Sequence, residues 1–412
     1  MCTEINELLS ASRRIHMLGI GGIGMAGLAY LLNERGHTVS GSDEQENRQT
    51  AWLREKGIRI QNEVPDDVEW IIRTRAVPDS HPDVLSAGVP VSWRGEVLPA
   101  LLRDRFTIAV SGTHGKTTTT AMIAQILDCG YCIGGEVQGF DGVARDGDIM
   151  VVEADESDGT VALYHPDIAV ITNIEYDHME HHENLVAFEA CFEKLIANTK
   201  EKIVYCAGDP AAVRLCKDNP KSVPYSFAPI KISLPGKHNQ LNACAAIEVS
   251  KQWKNEAVIF QCLENLKPIR RRFEVVHQGD YTVVSDYAHH PSEIRALIST
   301  ALETLKPKRL LGVFQPHRYT RTKALIDEFP PAFQGLEKLW ITPVYAASEK
   351  PLAGGTAEDL MAHFSNLWKN RVIFFQRLEE TWQDIRCELR TGDVLLIIGA
   401  GDIEKIAEWA GP

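Results

Sequence analysis

The stretch best suited to chemistry is Gly112-Thr113-His114-Gly115-Lys116-Thr117-Thr118. Glycines let backbone N–H groups close around phosphate oxygens, the lysine adds a point charge, and Thr117 offers a hydroxyl to Mg²⁺. An apolar run, Phe106 to Val110, leads in, and Met122, Ile123, Ile126 and Leu127 follow at helical spacing. Strand, glycine turn and helix start is the context a phosphate loop needs. The common G-x-x-x-x-G-K-[ST] pattern would put glycine where Val110 stands, so the loop is a tighter variant. The alternative, an ordinary glycine-rich turn, is disfavoured by the Gly-Lys-Thr after a strand.

Other reactive groups fall where strands should end. The strand Ile149 to Val152 runs into Glu153. Ligands of parallel α/β sheets bind at the carboxyl ends of strands, so Glu153 is placed to meet whatever Lys116 and Thr117 hold. Asp155, Glu156 and Asp158 read as helix caps or a solvated loop. The strand Ile168 to Thr172 leads to His178, whose neutral imidazole suits a metal or a phosphate. His181 and His182 read as a polar loop, since no thiolate or H-E-x-x-H spacing supports zinc. Asn239 and Asn242 share one helical face and suit a purine edge, with a helix cap by Asn239 as the even alternative. Arg270 to Arg272 is a solvated face or a phosphate clamp. His317, Arg318 and Arg321 lie within one helical turn and suit a carboxylate.

Near the start, Gly19-Ile20-Gly21-Gly22-Ile23-Gly24 follows a strand that opens at Arg14, and precedes helical Met25, Leu28, Ala29 and Leu32. A second strand, Thr38 to Gly41, ends at Ser42-Asp43. Asp43 lies about 20 residues past the last glycine, where a dinucleotide fold places its ribose-binding acid. NAD is the default on these residues alone, but any diphosphate suits that helix N-terminus. Cys129-Gly-Tyr-Cys132 is a lone C-x-x-C and reads as chance spacing.

These groups must be positioned by a large α/β chain. Its 412 residues suffice for several domains. Strand–helix alternation breaks near residue 98 and again near Val275. Residues 207–232, with Pro210, Pro220, Pro224 and Pro229, read as irregular. The third segment repeats the doubly wound pattern: Thr282 to Ser285, a helix after Pro291, Arg309 to Phe314, a helix from Arg321, then strands at 339–342, 372–375 and 394–398. The net charge of −13 argues against nucleic-acid or anionic-membrane partners. No run of about 18 apolar residues predicts a membrane span. Nine scattered cysteines and no basic-then-apolar leader fit a cytoplasmic protein.

In this order, the two glycine loops, Glu153-Ala-Asp-Glu-Ser-Asp158, Asp177-His178, Gly236-Lys-His-Asn-x-x-Asn-Ala243, Arg271-Arg-Phe273, Asp286-Tyr-Ala-His-His-Pro291 and Phe314-Gln-Pro-His-Arg-Tyr-Thr-Arg-Thr322 resemble the Mur ligase family. The resemblance spans about residue 14 to 403. It implies an α/β protein of three domains: a Rossmann-like UDP-sugar domain over 1–98, a central P-loop ATPase-type domain with a mostly parallel sheet over 99–275, and a Rossmann-like, doubly wound amino-acid domain over 276–412. It implies that Gly21, Gly22, Ile23, Gly24, Ser42 and Asp43 cradle UDP-sugar rather than NAD. Gly112 to Thr118, His238, Asn239, Asn242, Arg272 and Asp286 would bind ATP, with Lys116, Glu153 and His178 catalytic and Thr117, Glu153 and His178 holding Mg²⁺ or Mn²⁺. Tyr287, His289, His317, Arg318 and Arg321 would surround the amino acid or product carboxylate. The implied reaction joins L-alanine to the carboxylate of UDP-N-acetylmuramate through an acyl phosphate, with domain closure to exclude water, in a monomer or weak homodimer. The departures are Ser285 in place of an aspartate, and Thr74-Arg75-Ala76 and His81-Pro82 in place of Ser-Ser-Ala and Asn-Pro. Within the family the rival is a tripeptide-adding ligase, against which Gly21 to Gly24 and Ser157 argue. From other classes come an NAD-dependent oxidoreductase, which leaves the phosphate loop unexplained, and a nucleotide-binding module without turnover.

Overall fold

The computed structural model describes residues 2–175, 184–347, 349–365, 368 and 370–411. Its strands form three sheets in chain order. The first contains β1 (Arg14–Leu18), β2 (Thr38–Ser42), β3 (Arg59–Ile60), β4 (Trp70–Arg73) and β5 (Val91–Trp93). They are ordered β3-β2-β1-β4-β5, and every pairing is parallel. The second holds β6 (Phe106–Ser111), β7 (Gly130–Cys132), β8 (Ala144–Arg145), β9 (Ile149–Glu153), β10 (Ile168–Ile171), β11 (Lys202–Cys206) and β12 (Ser222–Tyr225). Its order is β12-β11-β10-β6-β9-β7-β8, and only the β7–β8 pair runs antiparallel. The third holds β13 (Glu274–Gln278), β14 (Thr282–Asp286), β15 (Arg309–Phe314), β16 (Lys338–Ile341), β17 (Val372–Phe374) and β18 (Asp393–Ile398). Its order is β13-β14-β18-β15-β16-β17, antiparallel only at β13–β14. This is the α/β class with doubly wound parallel sheets.

By compactness the described chain forms two units, one of residues 2–175, 184–231 and 241–267, the other of 232–240 and 268–411. The first unit carries two sheets; an apolar cluster in which Met17, Leu28 and Trp70 meet Cys132, Met150 and Val152 runs across both, and a second gathers Ile171, Phe188, Phe192 and Ile203. In the second, Phe314, Phe329, Phe333 and Leu339 fill one side of the sheet, and Val313, Trp340, Ile385 and Leu395 the other. Strands buried on both faces are what parallel sheets require.

The region 207–232 is more regular than its prolines suggest. Pro210 opens the helix Pro210–Cys216, where its missing N–H costs nothing, and Pro224 sits in edge strand β12. The helix expected from Arg321 begins at Tyr319. Among the described residues, no helix is long and apolar enough to cross a membrane.

Candidate active site

Sheet order brings the phosphate loop together with its neighbours. β6 lies between β10 and β9, with Val110 opposite Glu153 and Ser111 opposite Ile171. The loop after β6 is therefore flanked by the carboxyl ends of both strands. Gly115 sits at φ +83°, in the left-handed region, as N-cap of the helix Lys116–Leu127. The end of β10 holds the loop: Asn173 Oδ1 accepts from His114 N at 2.8 Å, and Thr172 Oγ1 donates to His114 O at 2.7 Å. Thr113 Oγ1 donates to Glu175 O at 2.9 Å. Thr172, Asn173 and Glu175 escape sequence reasoning, because their role lies in the pairing of β6 with β10.

Glu153 Oε2 accepts from Thr117 Oγ1 and from Gly134 N, both at 2.9 Å, so acid and hydroxyl meet as their strand positions predict. Thr117 is buried. Asn242 also reaches the loop, for a Cβ at Gly115 would lie 2.6 Å from its Oδ1. Asn239 is inside the helix Lys237–Ser250 and donates to Pro235 O at 2.6 Å, so it is not the N-cap. His178, His181 and His182 lie outside the described residues.

The acidic run after β9 is not one solvated loop. Asp158 does cap a turn, accepting from Thr160 N at 3.0 Å. Glu156, however, is fully buried, with Oε2 2.9 Å from Lys116 Nζ. Burial lowers the Lys116 pKa, but Glu156, Asp155 and Glu153 outweigh it and hold the ammonium above its usual range. The residue type gives no sign of this, since the burial depends on a lysine 40 residues away.

At the first sheet, the helix Ile23–Glu34 starts from Gly22, and Gly21 N donates to Asp43 Oδ2 at 2.8 Å. Ser42 serves through its carbonyl, which accepts from Gly19 N at 2.9 Å and Ile20 N at 3.1 Å. Arg94, just past β5, lies where a Cβ on Gly24 would fall, 2.7 Å from its nearest guanidinium nitrogen. It is a cation beside the glycine cradle that the sequence reading missed. The Cys129 and Cys132 thiols are pushed up by burial to about 11 and about 12, which leaves no reactive thiolate near neutral pH.

In the second unit, β14, β18 and β15 end side by side, with Asp286 and Phe314 both opposite Ile398. Asp286 accepts from Phe273 N at 2.7 Å and Ala288 N at 2.8 Å, yet its burial raises its pKa overall. The Arg272 guanidinium carbon lies 5.3 Å from the centre of the Tyr287 ring. Arg270 and Arg271 pair with Glu404 at 3.3 and 3.2 Å. His238 is held neutral, its pKa lowered to about 4 by burial and by Arg272. The His289 and His317 rings are 5.7 Å apart, and His317 stacks on Tyr345 at 5.5 Å. Arg321 is buried, with an N–H 3.2 Å from His317 Nδ1. Burial, then His289, Arg321 and Arg318, lower the His317 pKa to about 2. A neutral imidazole among guanidinium groups makes a receptor for a carboxylate. Tyr345, not singled out from sequence, joins it through a bridge pairing it with His317.

Three family models match in succession: "Mur ligase family, catalytic domain" over 14–105, "Mur ligase middle domain" over 110–227, and "Mur ligase, glutamate ligase domain" over 271–401. The chain is 34% identical to the UDP-N-acetylmuramate–L-alanine ligase of Persephonella marina, covering 96% of each chain. The Aquifex aeolicus ligase of the same name is 35% identical, again over 96% of each. Among solved structures, the UDP-N-acetylmuramate–alanine ligase of Thermotoga maritima superposes with a TM-score of 0.83 at 29% identity, covering 97% of this chain and 98% of that one. A murein peptide ligase from Psychrobacter arcticus superposes at 0.72 with 22% identity, over 97% and 98%, and speaks for the fold alone.

Proposed function

The chain belongs to the Mur ligase family, and from that premise we propose that it joins L-alanine to the carboxylate of UDP-N-acetylmuramate, consuming ATP and forming ADP and phosphate. The observation that carries the reading is the meeting of Lys116 and Thr117, at the start of the helix behind the glycine loop, with Glu153 at the tip of β9. The full-length likeness to alanine ligases supports it over the tripeptide-adding alternative.

The sugar's carboxylate attacks the γ-phosphorus and ADP departs. The alanine amine then attacks the acyl-phosphate carbon, phosphate leaves, and the amine's proton passes to solvent or a nearby base. Little covalent work falls to the protein, whose part is positioning and charge compensation. Gly112 to Thr118 wrap the triphosphate, Lys116 meets its developing charge, and Asn242 fixes the nucleotide beside Gly115. The family resemblance also assigns His238, Asn239, Arg272 and Asp286 to nucleotide binding. The Thr117 hydroxyl and the Glu153 carboxylate are adjacent hard oxygens that would hold Mg²⁺ or Mn²⁺; the third ligand that the family resemblance implies, His178, lies outside the described residues. When bound, that cation neutralises phosphate charge. Gly21 to Gly24, Ser42 and Asp43 take the sugar's diphosphate. His317, Arg318 and Arg321, with Tyr287 and His289, orient alanine by its carboxylate so that its amine is free to attack.

The same reading divides the chain into domains at 1–98, 99–275 and 276–412, and makes it a cytoplasmic monomer or weak homodimer acting on small molecules. Phosphate release is the test. It should require ATP, UDP-N-acetylmuramate and L-alanine together, with one alanylated sugar per phosphate. Release that ignores alanine, or that answers only to the tripeptide, would overturn the reading.

A further inference from the structure

Glu156 is the only fully buried acid in the run 153–158. Its two oxygens lie 3.0 and 2.9 Å from Lys116 Nζ. The same ammonium donates to Gly112 O at 2.7 Å and Thr113 O at 3.3 Å. An ammonium has three protons, so Lys116 is fully committed to two loop carbonyls and one carboxylate. A phosphate oxygen reaches Nζ only by displacing one of them. The carbonyls belong to the loop that wraps the phosphate, whereas the carboxylate is the sole anion among the three. Exchanging one anion for another keeps a buried ammonium compensated throughout, which avoids the cost of an unpaired buried charge.

We propose that Glu156 is a positioning residue that holds Lys116 in the loop before nucleotide binds and is displaced from the ammonium by the triphosphate, a resident anion in competition with nucleotide. The inference rests on the reading of Lys116 as the phosphate ligand. It gives Glu156 two opposed effects. The carboxylate stabilises the nucleotide-free loop, and once displaced it repels the phosphates that replaced it.

The test is calorimetric binding of ADP and of a non-hydrolysable ATP analogue, each with Mg²⁺, to the full chain and its variants. Glu156→Gln keeps the shape and removes the charge. Its nucleotide affinity should rise about tenfold, a difference of about 1.4 kcal/mol. KM for ATP should fall in step. The unfolding midpoint should drop without nucleotide and recover with it, a pattern that a purely structural role would not give. Glu156→Asp, which retracts the charge by one methylene, should move affinity less in the same direction, and decides the matter if the glutamine variant does not fold. Unchanged or weaker nucleotide affinity in the folded variants overturns the proposal. Lys116→Ala separates the two ideas. If it binds nucleotide as the parent does, the phosphate-loop reading fails and the exchange with it. If it binds weakly while Glu156→Gln binds no tighter, only the exchange fails.

Discussion

Replacing Gly115 with alanine perturbs the loop in two ways that can be measured apart. Gly115 holds φ +83° and ψ −2° where the loop turns into the helix Lys116–Leu127. That left-handed backbone costs a residue with a Cβ about 1–2 kcal/mol. The new methyl would also stand 2.6 Å from Asn242 Oδ1 and 3.2 Å from its Cγ. Asn242 is buried on the helix Lys237–Ser250 and has a short side chain, so backbone must move as well. Such overpacking adds about 1–3 kcal/mol. Gly115→Ala should therefore lose about 2–5 kcal/mol of folding free energy, a large part of what a domain has. Activity should fall about 100-fold, since a loop displaced by ~1 Å no longer aims Lys116 and Thr117. Urea unfolding gives the first quantity and alanine-dependent phosphate release the second. Adding Asn242→Ala should restore the contact part of the stability, about 1–3 kcal/mol, and leave the dihedral part. A Gly115→Ala protein as stable and active as the parent, or a double variant no better than the sum of its singles, would refute the reasoning.

Arg321→Ala removes a buried guanidinium next to His317. KM for alanine should rise about 10- to 100-fold, the effect of one charged hydrogen bond, with UDP-sugar affinity unchanged; loss of sugar binding with normal alanine kinetics would contradict the assignment. The same variant removes one of the charges that hold His317 down to about pKa 2, so NMR titration of that ring should show protonation at higher pH. His16 is fully buried against Ser40, and burial lowers its pKa to about 4 although Asp83 opposes the shift. Below pH 6.5 the unfolded ring takes up a proton that the folded one refuses. Its contribution is thus complete above that pH and is lost progressively toward pH 4, by up to about 3 kcal/mol. His16→Asn should reduce the stability lost between pH 7 and pH 4.5 in urea titrations, and an equal loss in both proteins would count against the buried neutral ring.

The chemistry of the loop was legible because it is local. Gly-Lys-Thr after an apolar strand carries its own context, and Glu153 needed only the rule that strand tips face the ligand. The alternation of strands and helices likewise revealed the three sheets. Short pieces were harder: β3, β7 and β8 are too brief for a period to show, and the prolines around β12 masked an edge strand and a helix. The other misses are non-local. Glu156 looks like any acid in an acidic run until β9 is placed beside β6, and Asn173 matters only because β10 pairs with β6 on its other side. Arg94 and Tyr345 enter their sites from strand ends or bridges far along the chain, where no spacing rule applies.

The most direct measurement follows the oxygen atoms of the sugar's carboxylate. UDP-N-acetylmuramate labelled with ¹⁸O in both carboxylate oxygens is turned over with ATP and L-alanine, and the phosphate is analysed by mass spectrometry. Attack of that carboxylate on the γ-phosphorus predicts one labelled oxygen in each phosphate and one in the new amide. Phosphate free of label would contradict the acyl-phosphate route, and with it the role given to the Lys116 loop.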